Sequence, residues 1–221
     1  DCINASEDNV SVITINGGTI SALVHYMEGD GIDSNGWVVI NGGSVMAQAS
    51  SYSMDSGIDA DKGIIINDGK VIATGNMFDA VSESAKNYVV FNFTETQKPG
   101  FYQFTEKKQA NESTPVDVLS YNITNEFRVL LVSNNLLVEG DYTLWCEDSQ
   151  FKGAKMDIVD FVPSVEDRPE MPPAPPEGGP EGHIDISNME MSEIFNITTG
   201  ANSFIVGSVE RTETVDTAEG A

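Results

Sequence analysis

Six oxygen-bearing side chains recur as two sets in this chain: Asp30, Asp33 and Asn35, then Asp55, Asp59 and Asp61. They sit in GDGIDSNG (Gly29–Gly36) and DSGIDADKG (Asp55–Gly63), which align with Ile32 on Ile58, 26 residues apart. In a strand whose isoleucine points inward, the next residue points outward. Asp33 and Asp59 then share an outer face, Asn35 and Asp61 form a second outward rung, and Asp30 and Asp55 occupy the turns just before. Like charges directly opposite on neighbouring strands repel. Such a ladder calls for water and screening, or for a cation. Calcium (Ca2+) suits it, since it takes roughly 6–8 oxygen ligands in flexible geometry. Zinc does not, because the chain has two His and two Cys. The plain alternative is a solvated acidic face in an acidic protein.

The elements that must carry these residues come from a repeat. A first copy spans Ile13–Gly36, a second Val38–Gly63 and a partial third Ile64–Gly75. Ile15, Ile40 and Ile66 take equivalent places 25 and 26 residues apart. Within each copy, β-branched residues alternate and glycine pairs break the runs, which predicts short strands joined by tight turns. Repeats of this length bury their apolar face only by stacking on one another. The expectation is a parallel β-helix with core ladders Ile15/Ile40/Ile66 and Ile20/Val45/Val71, and with Asn16/Asn41/Asn67 at a corner. Reading each NGG as a hairpin turn of an antiparallel sandwich explains one copy and leaves the register of three unexplained.

The net charge is −24, with 35 acidic residues against 11 Lys and Arg, which excludes nucleic acid as a partner. No apolar run approaches the roughly 18 residues that span a bilayer. The absence of an initiator Met or signal peptide and the opening Asp1-Cys2-Ile3-Asn4, which resembles Asp30-Gly31-Ile32-Asp33, suggest a fragment starting in mid-repeat, with further coils upstream. Cys2 and Cys146 permit one disulfide. Six N-x-S/T sequons, at Asn4, Asn9, Asn92, Asn111, Asn122 and Asn196, suggest a secreted or cell-surface glycoprotein.

Residues 1–162 are expected to form one β-helix domain. Its repeat array covers 10–76, and degenerate coils over 77–162 close the solenoid. Residues 77–86 lose the repeat and read as a loop or short helical turn. Strands are predicted at Tyr88–Phe93, Phe101–Phe104, Val118–Ile123, Glu126–Val132 and Gly140–Cys146. Residues 163–182 hold seven of the nine prolines and read as an extended linker. The tail, 183–221, alternates like strands but is short for an independent domain. It is expected to add strands to an exposed edge of its own solenoid or of a neighbouring subunit, a route to self-assembly. His25 and His183 read as surface or packing residues. Tyr26 and Tyr52 fall in equivalent loops, where aromatic rings stack on sugars or pack as satellites of the core.

GDGIDSNGWVVINGGSV, SGIDADKGIIINDGKVIATG and the later VLLVSNNLLVEGDYTLW (Val129–Trp145) resemble a bacterial secreted carbohydrate-binding domain family of right-handed parallel β-helices. The resemblance covers residues 10–150. It implies calcium-dependent, non-catalytic binding of an acidic plant polysaccharide such as polygalacturonate, outside the cell. The metal ligands it implies are Asp30, Asp33, Asp59 and Asp61, with Asn35 and Asp55 beside them. Two other functional readings stand next to it. One is a structural cell-surface or filament protein. The other is a pectate-lyase-like enzyme, for which Lys62 is the candidate base among the array's two lysines.

Overall fold

The computed structural model describes residues 1–8, 10–108, 114–157 and 186–207. Among the described residues every regular element is a strand. The first nine are laid down three per turn of the repeat: β1 (Ile3–Ala5), β2 (Val12–Ile15) and β3 (Thr19–Leu23); β4 (Ile32–Ser34), β5 (Trp37–Ile40) and β6 (Ser44–Gln48); β7 (Ile58–Ala60), β8 (Gly63–Ile66) and β9 (Lys70–Gly75). Each stacks in parallel on its counterpart in the next copy. Ile3 lies beside Ile32 and Ile32 beside Ile58. Ile15, Ile40 and Ile66 form a second ladder, and Ile20, Val45 and Val71 a third. The parallel β-helix expected from the spacing is therefore the arrangement of the first 75 residues.

The register is fixed by burial and by the corners. Ile32, Ile40 and Ile66 have no exposed surface, and a one-residue slip would turn every one of them to water. At one corner Asn67 Nδ2 donates to Asn41 Oδ1 at 2.7 Å, and Asn41 Nδ2 to Asn16 Oδ1 at 2.8 Å. Beside it Gly43 has φ +94°, and a Cβ there would lie 2.6 Å from the Gly18 carbonyl oxygen. Only glycine meets both conditions.

The closing region corrects the expectation of worn coils. β10 (Val81–Ser84) adds one more parallel rung to β8, where a loop or helical turn was expected. From β11 (Tyr88–Gln97) onward the chain leaves the coil path. β14 (Phe127–Ser133) pairs antiparallel with β9, and β11 antiparallel with β14. A second sheet is antiparallel throughout: β13 (Asp117–Ile123), β12 (Gly100–Glu106), β15 (Gly140–Cys146) and β16 (Ser149–Gln150). The predicted strands are present; their partners are not those of a coil.

Side-chain size accounts for the change. A coil interior stacked at about 4.8 Å suits the Ile, Val and Ala ladders. The later strands bring Phe91, Phe93, Tyr102, Phe104, Phe127 and Tyr142, all buried, and rings of that bulk need the roughly 10 Å core between two facing sheets. The seven-stranded sheet containing β3, β6, β9, β14 and β11 serves as a common wall. Val45, Ala47, Val71, Ala73, Val129 and Leu131 face the coil core, while Met46, Ile72, Leu130, Val132 and Phe91 face the aromatic core. Gln48 and Asn125 fasten the two bodies. Gln48 Oε1 accepts from the N–H groups of Thr124 and Asn125, and Asn125 Nδ2 donates to the carbonyls of Val24 and Ala49.

The tail enters its own chain's sandwich, not a solenoid edge. β19 (Ala201–Gly207) runs parallel to β11 and antiparallel to β17 (Lys152–Lys155), while β18 (Phe195–Ile197) pairs with β15. The 163–182 linker, Asn9, Asn111 and His183 lie outside the described residues.

Candidate metal-binding face

The sheet β1–β4–β7 holds the acidic ladder. Its register places Asn4, Asp33 and Asp59 side by side on the outer face, between inward Ile and Ala or Ser neighbours. The turns before these strands are tied by carboxylates. Asp1 Oδ1 accepts the Asp30 N–H at 3.0 Å, and Asp30 Oδ1 accepts the Ser56 N–H at 2.7 Å. One carboxylate oxygen from each of Asp1, Asp30 and Asp33 lies within 4.8 Å of the other two. Asn4 Nδ2 bridges this group, 2.7 Å from Asp1 Oδ2 and 2.5 Å from Asp33 Oδ2.

Of the six candidate ligands, Asp30 and Asp33 converge. Asp59 is turned instead toward Asp79, with which it shares a hydrogen bond. Asp55 Oδ2 is taken by the Gly29 N–H and the Ser53 hydroxyl. Asn35 Nδ2 is directed to Asp8 Oδ1 at 2.7 Å and the Ser6 carbonyl at 3.3 Å. Asp61 is exposed and stands outside the converging group, raising Asp33 and Asp59 as a like charge.

Two members of the face were missing from that set. Asp1 lies with Asp30 and Asp33, and the likeness of Asp1–Asn4 to Asp30–Asp33 is the signal that points to it. Asp79 Oδ2 accepts the Ala60 N–H at 2.7 Å. Its signal is faint: Phe78-Asp79-Ala80 echoes Ile58-Asp59-Ala60, with Phe78 packed against the coil core in place of isoleucine.

The electrostatics are those of crowded like charges. Asp30 is 8% exposed, and its pKa is pushed up to about 7, first by burial and then by Asp55, against the opposing hydrogen bond from Ser56. Burial likewise raises Asp79 to about 6. Asp33 and Asp59 are raised by burial, with each other's charge or that of Asp61 adding to it. A face in this condition gains from any cation that restores its charge.

Tyr26 and Tyr52 stand on the loops beside these turns, 76% and 48% exposed. The Ser50 hydroxyl donates to the Tyr26 carbonyl at 2.6 Å, which holds the two loops together. His25, next to Tyr26, is exposed.

The remaining marked residues separate clearly. Asn122 and Asn196 are exposed, and Asn4 is exposed within the acidic group. Asn92 is not a glycan site in this fold. It is 2% exposed, and its amide donates to Ser203 Oγ at 3.1 Å and the Phe204 carbonyl at 3.4 Å. Cys2 and Cys146 are not joined to each other. Cys2 precedes β1 on the first coil, whereas Cys146 ends β15 in the sandwich against Gly100.

Residues 13–36 match a family model described as a beta helix repeat. That stretch runs from β2 through β4, one full turn of the array. No curated protein and no solved structure matches the chain.

Proposed function

We propose that this protein is an extracellular, non-catalytic carbohydrate-binding module, and that its acidic coil face takes calcium and, through it, an acidic polysaccharide of the polygalacturonate class. The observation that carries the reading is the convergence of Asp1, Asp30 and Asp33. Their oxygens form a hard donor set within 4.8 Å, which fits calcium and not a soft or nitrogen-seeking metal. A half-turn of the Asn4 amide presents Oδ1 in place of Nδ2 and adds a fourth oxygen. When bound, calcium supplies the positive charge that lets an anionic protein hold a uronate carboxylate. Asp1, Asp30 and Asp33 hold the ion, the backbone N–H of Ser56 orients Asp30, and Tyr26 and Tyr52 offer ring faces to the sugars alongside. The coils are taken as right-handed, as parallel strand connections nearly always are. The exposed sequons at Asn4, Asn122 and Asn196 support a location outside the cell.

Retention on immobilised polygalacturonate tests this reading. The full chain is retained in calcium, released by chelator, and liberates no unsaturated sugar. Retention that ignores chelator would contradict it, and unsaturated products would establish the lyase reading. The filament reading drew part of its support from a tail available to a neighbour, and β18 and β19 are engaged in their own sheets.

A further inference from the structure

We infer that Asn16 is a site of spontaneous covalent change. Its side chain closes on the Gly17 nitrogen, loses ammonia and reopens with water as aspartate or isoaspartate, while the fold holds the chain's other Asn-Gly pairs against the same reaction. The inference is independent of calcium and of the sugar.

The chain contains three such pairs, Asn16-Gly17, Asn35-Gly36 and Asn41-Gly42. A glycine after asparagine leaves the next backbone nitrogen unshielded by a Cβ and lets the chain turn to bring it onto Cγ. In the step, Gly17 N bonds to Asn16 Cγ and the Cγ–Nδ2 bond breaks. The departing NH2 group takes the proton of the Gly17 N–H and leaves as ammonia. Water then opens the five-membered imide. Attack at one carbonyl gives aspartate, and attack at the other routes the backbone through the side chain as isoaspartate. Water is the sole co-reactant. The rate at each pair depends on how freely the amide turns and on whether the attacking nitrogen is engaged.

The three pairs differ in both respects. Asn35 is half-buried and Gly36 buried. Asn35 Nδ2 donates to Asp8 Oδ1 and to the Ser6 carbonyl, and the attacking Gly36 N–H is itself donated to Ser34 Oγ at 3.2 Å. A Cβ on Gly36 would collide with the Ser11 carbonyl oxygen, so the backbone there has no room to turn. Asn41 is exposed, but it stands in the middle of the corner ladder. Its Oδ1 accepts from Asn67 Nδ2, and its Nδ2 donates to Asn16 Oδ1. Asn16 is the first rung. Its Oδ1 accepts from Asn41, and its Nδ2 has no partner among the described residues. Asn16, Gly17 and Gly18 are all exposed, and nothing lies within 4 Å of a Cβ on Gly17.

Asn16 and Asn41 sit in the same tetrapeptide, Ile-Asn-Gly-Gly, so their local chemistry is equal and the fold alone separates them. The bond between the two is lost whichever one reacts. The bond from Asn67 belongs to Asn41 alone.

The ladder also shows what the change does. Asn16 uses only its oxygen there, and a carboxylate at that rung still accepts from Asn41 Nδ2. Asn41 uses both ends of its amide, and a carboxylate in its place would set oxygen against Asn16 Oδ1. The rung that tolerates an acid is the rung left open to becoming one. Isoaspartate lengthens only the exposed turn between β2 and β3.

The test ages the folded full chain at about pH 8 in heavy-oxygen water, beside a sample unfolded in urea. Peptide mass spectrometry then follows each pair. In the folded chain Asn16 is expected to convert about fivefold faster than Asn41, the worth of one hydrogen bond, and Asn35 slowest. In urea Asn16 and Asn41 should convert at the same rate. Asn67→Ala should raise the rate at Asn41 about fivefold and leave Asn16 unchanged. Equal rates at Asn16 and Asn41 in the folded chain would overturn the inference. So would an Asn16 that converts only in urea, or an Asn41 rate indifferent to Asn67→Ala.

Discussion

Replacing Asp30 by asparagine removes a crowded charge while leaving an oxygen to accept the Ser56 N–H. Asp30 is 8% exposed, and its pKa stands at about 7 against an ordinary 3.8. Below 3.8 the carboxyl is protonated in both the folded and the unfolded chain and costs nothing. Between 3.8 and about 7 the folded chain holds a proton that the unfolded chain has released, so stability falls as pH rises through that window. Above it the full penalty applies. A difference from 3.8 to about 7 corresponds to about 4 kcal/mol, and screening of the half-exposed neighbours Asp33, Asp55 and Asp59 brings the expected value to about 2 kcal/mol. Asp30→Asn should therefore raise the melting temperature at pH 8 in chelator by roughly 4–8 °C for a chain of this size. At pH 4 the two proteins should melt nearly together. Excess calcium should stabilise the natural protein at pH 8 and the variant much less, because the variant has lost a charged ligand. Thermal melts followed by circular dichroism at both pH values, with calcium and with chelator, supply the comparison. A variant less stable than the natural protein at pH 8 in chelator would refute the reasoning. It would mean that the Asp30 charge is satisfied by its hydrogen bond.

Three further outcomes follow from the packing and exposure of single residues. Ile40 has no exposed surface and stands in the middle of its ladder, so Ile40→Ala should cost about 2–5 kcal/mol in urea unfolding. Gly43→Ala should cost roughly 1–3 kcal/mol, since its φ is +94° and the Gly18 oxygen blocks a Cβ, whereas Gly17→Ala, with nothing within 4 Å, should be close to neutral. Expression in a glycosylating host should give glycopeptides at Asn122 and Asn196 and unmodified Asn92, read by mass spectrometry; a glycan on Asn92 in folded protein would contradict its burial.

The coils were legible because their register carries information twice, in the isoleucine spacing and in the Asn16/Asn41/Asn67 corner. Strands beyond Tyr88 were legible one at a time, as alternation marks a buried face but says nothing of the partner. Val129–Val132 shows why: alternate residues of that one strand serve two different cores, a pattern that reads in sequence as a plain apolar run. The antiparallel turn of the chain there depends on the Phe and Tyr rings needing a wider core, which only the assembled sheets reveal. In the acidic face, Asp30 and Asp33 came from the repeat. Asp79 escaped because Phe78 stands where the repeat has isoleucine, and the hydrogen bond of Asp59 to Asp79 could not be foreseen for the same reason.

Calcium titration of the metal-free full chain at pH 8, followed by calorimetry, bears most directly on the acidic face. Binding is expected with a dissociation constant of about 10⁻⁴–10⁻³ M, the range of extracellular calcium modules, and is expected to be lost in Asp33→Asn with the fold intact. A natural protein that takes up no calcium in that range, or an Asp33→Asn variant that binds it equally well, would contradict a calcium site on this face.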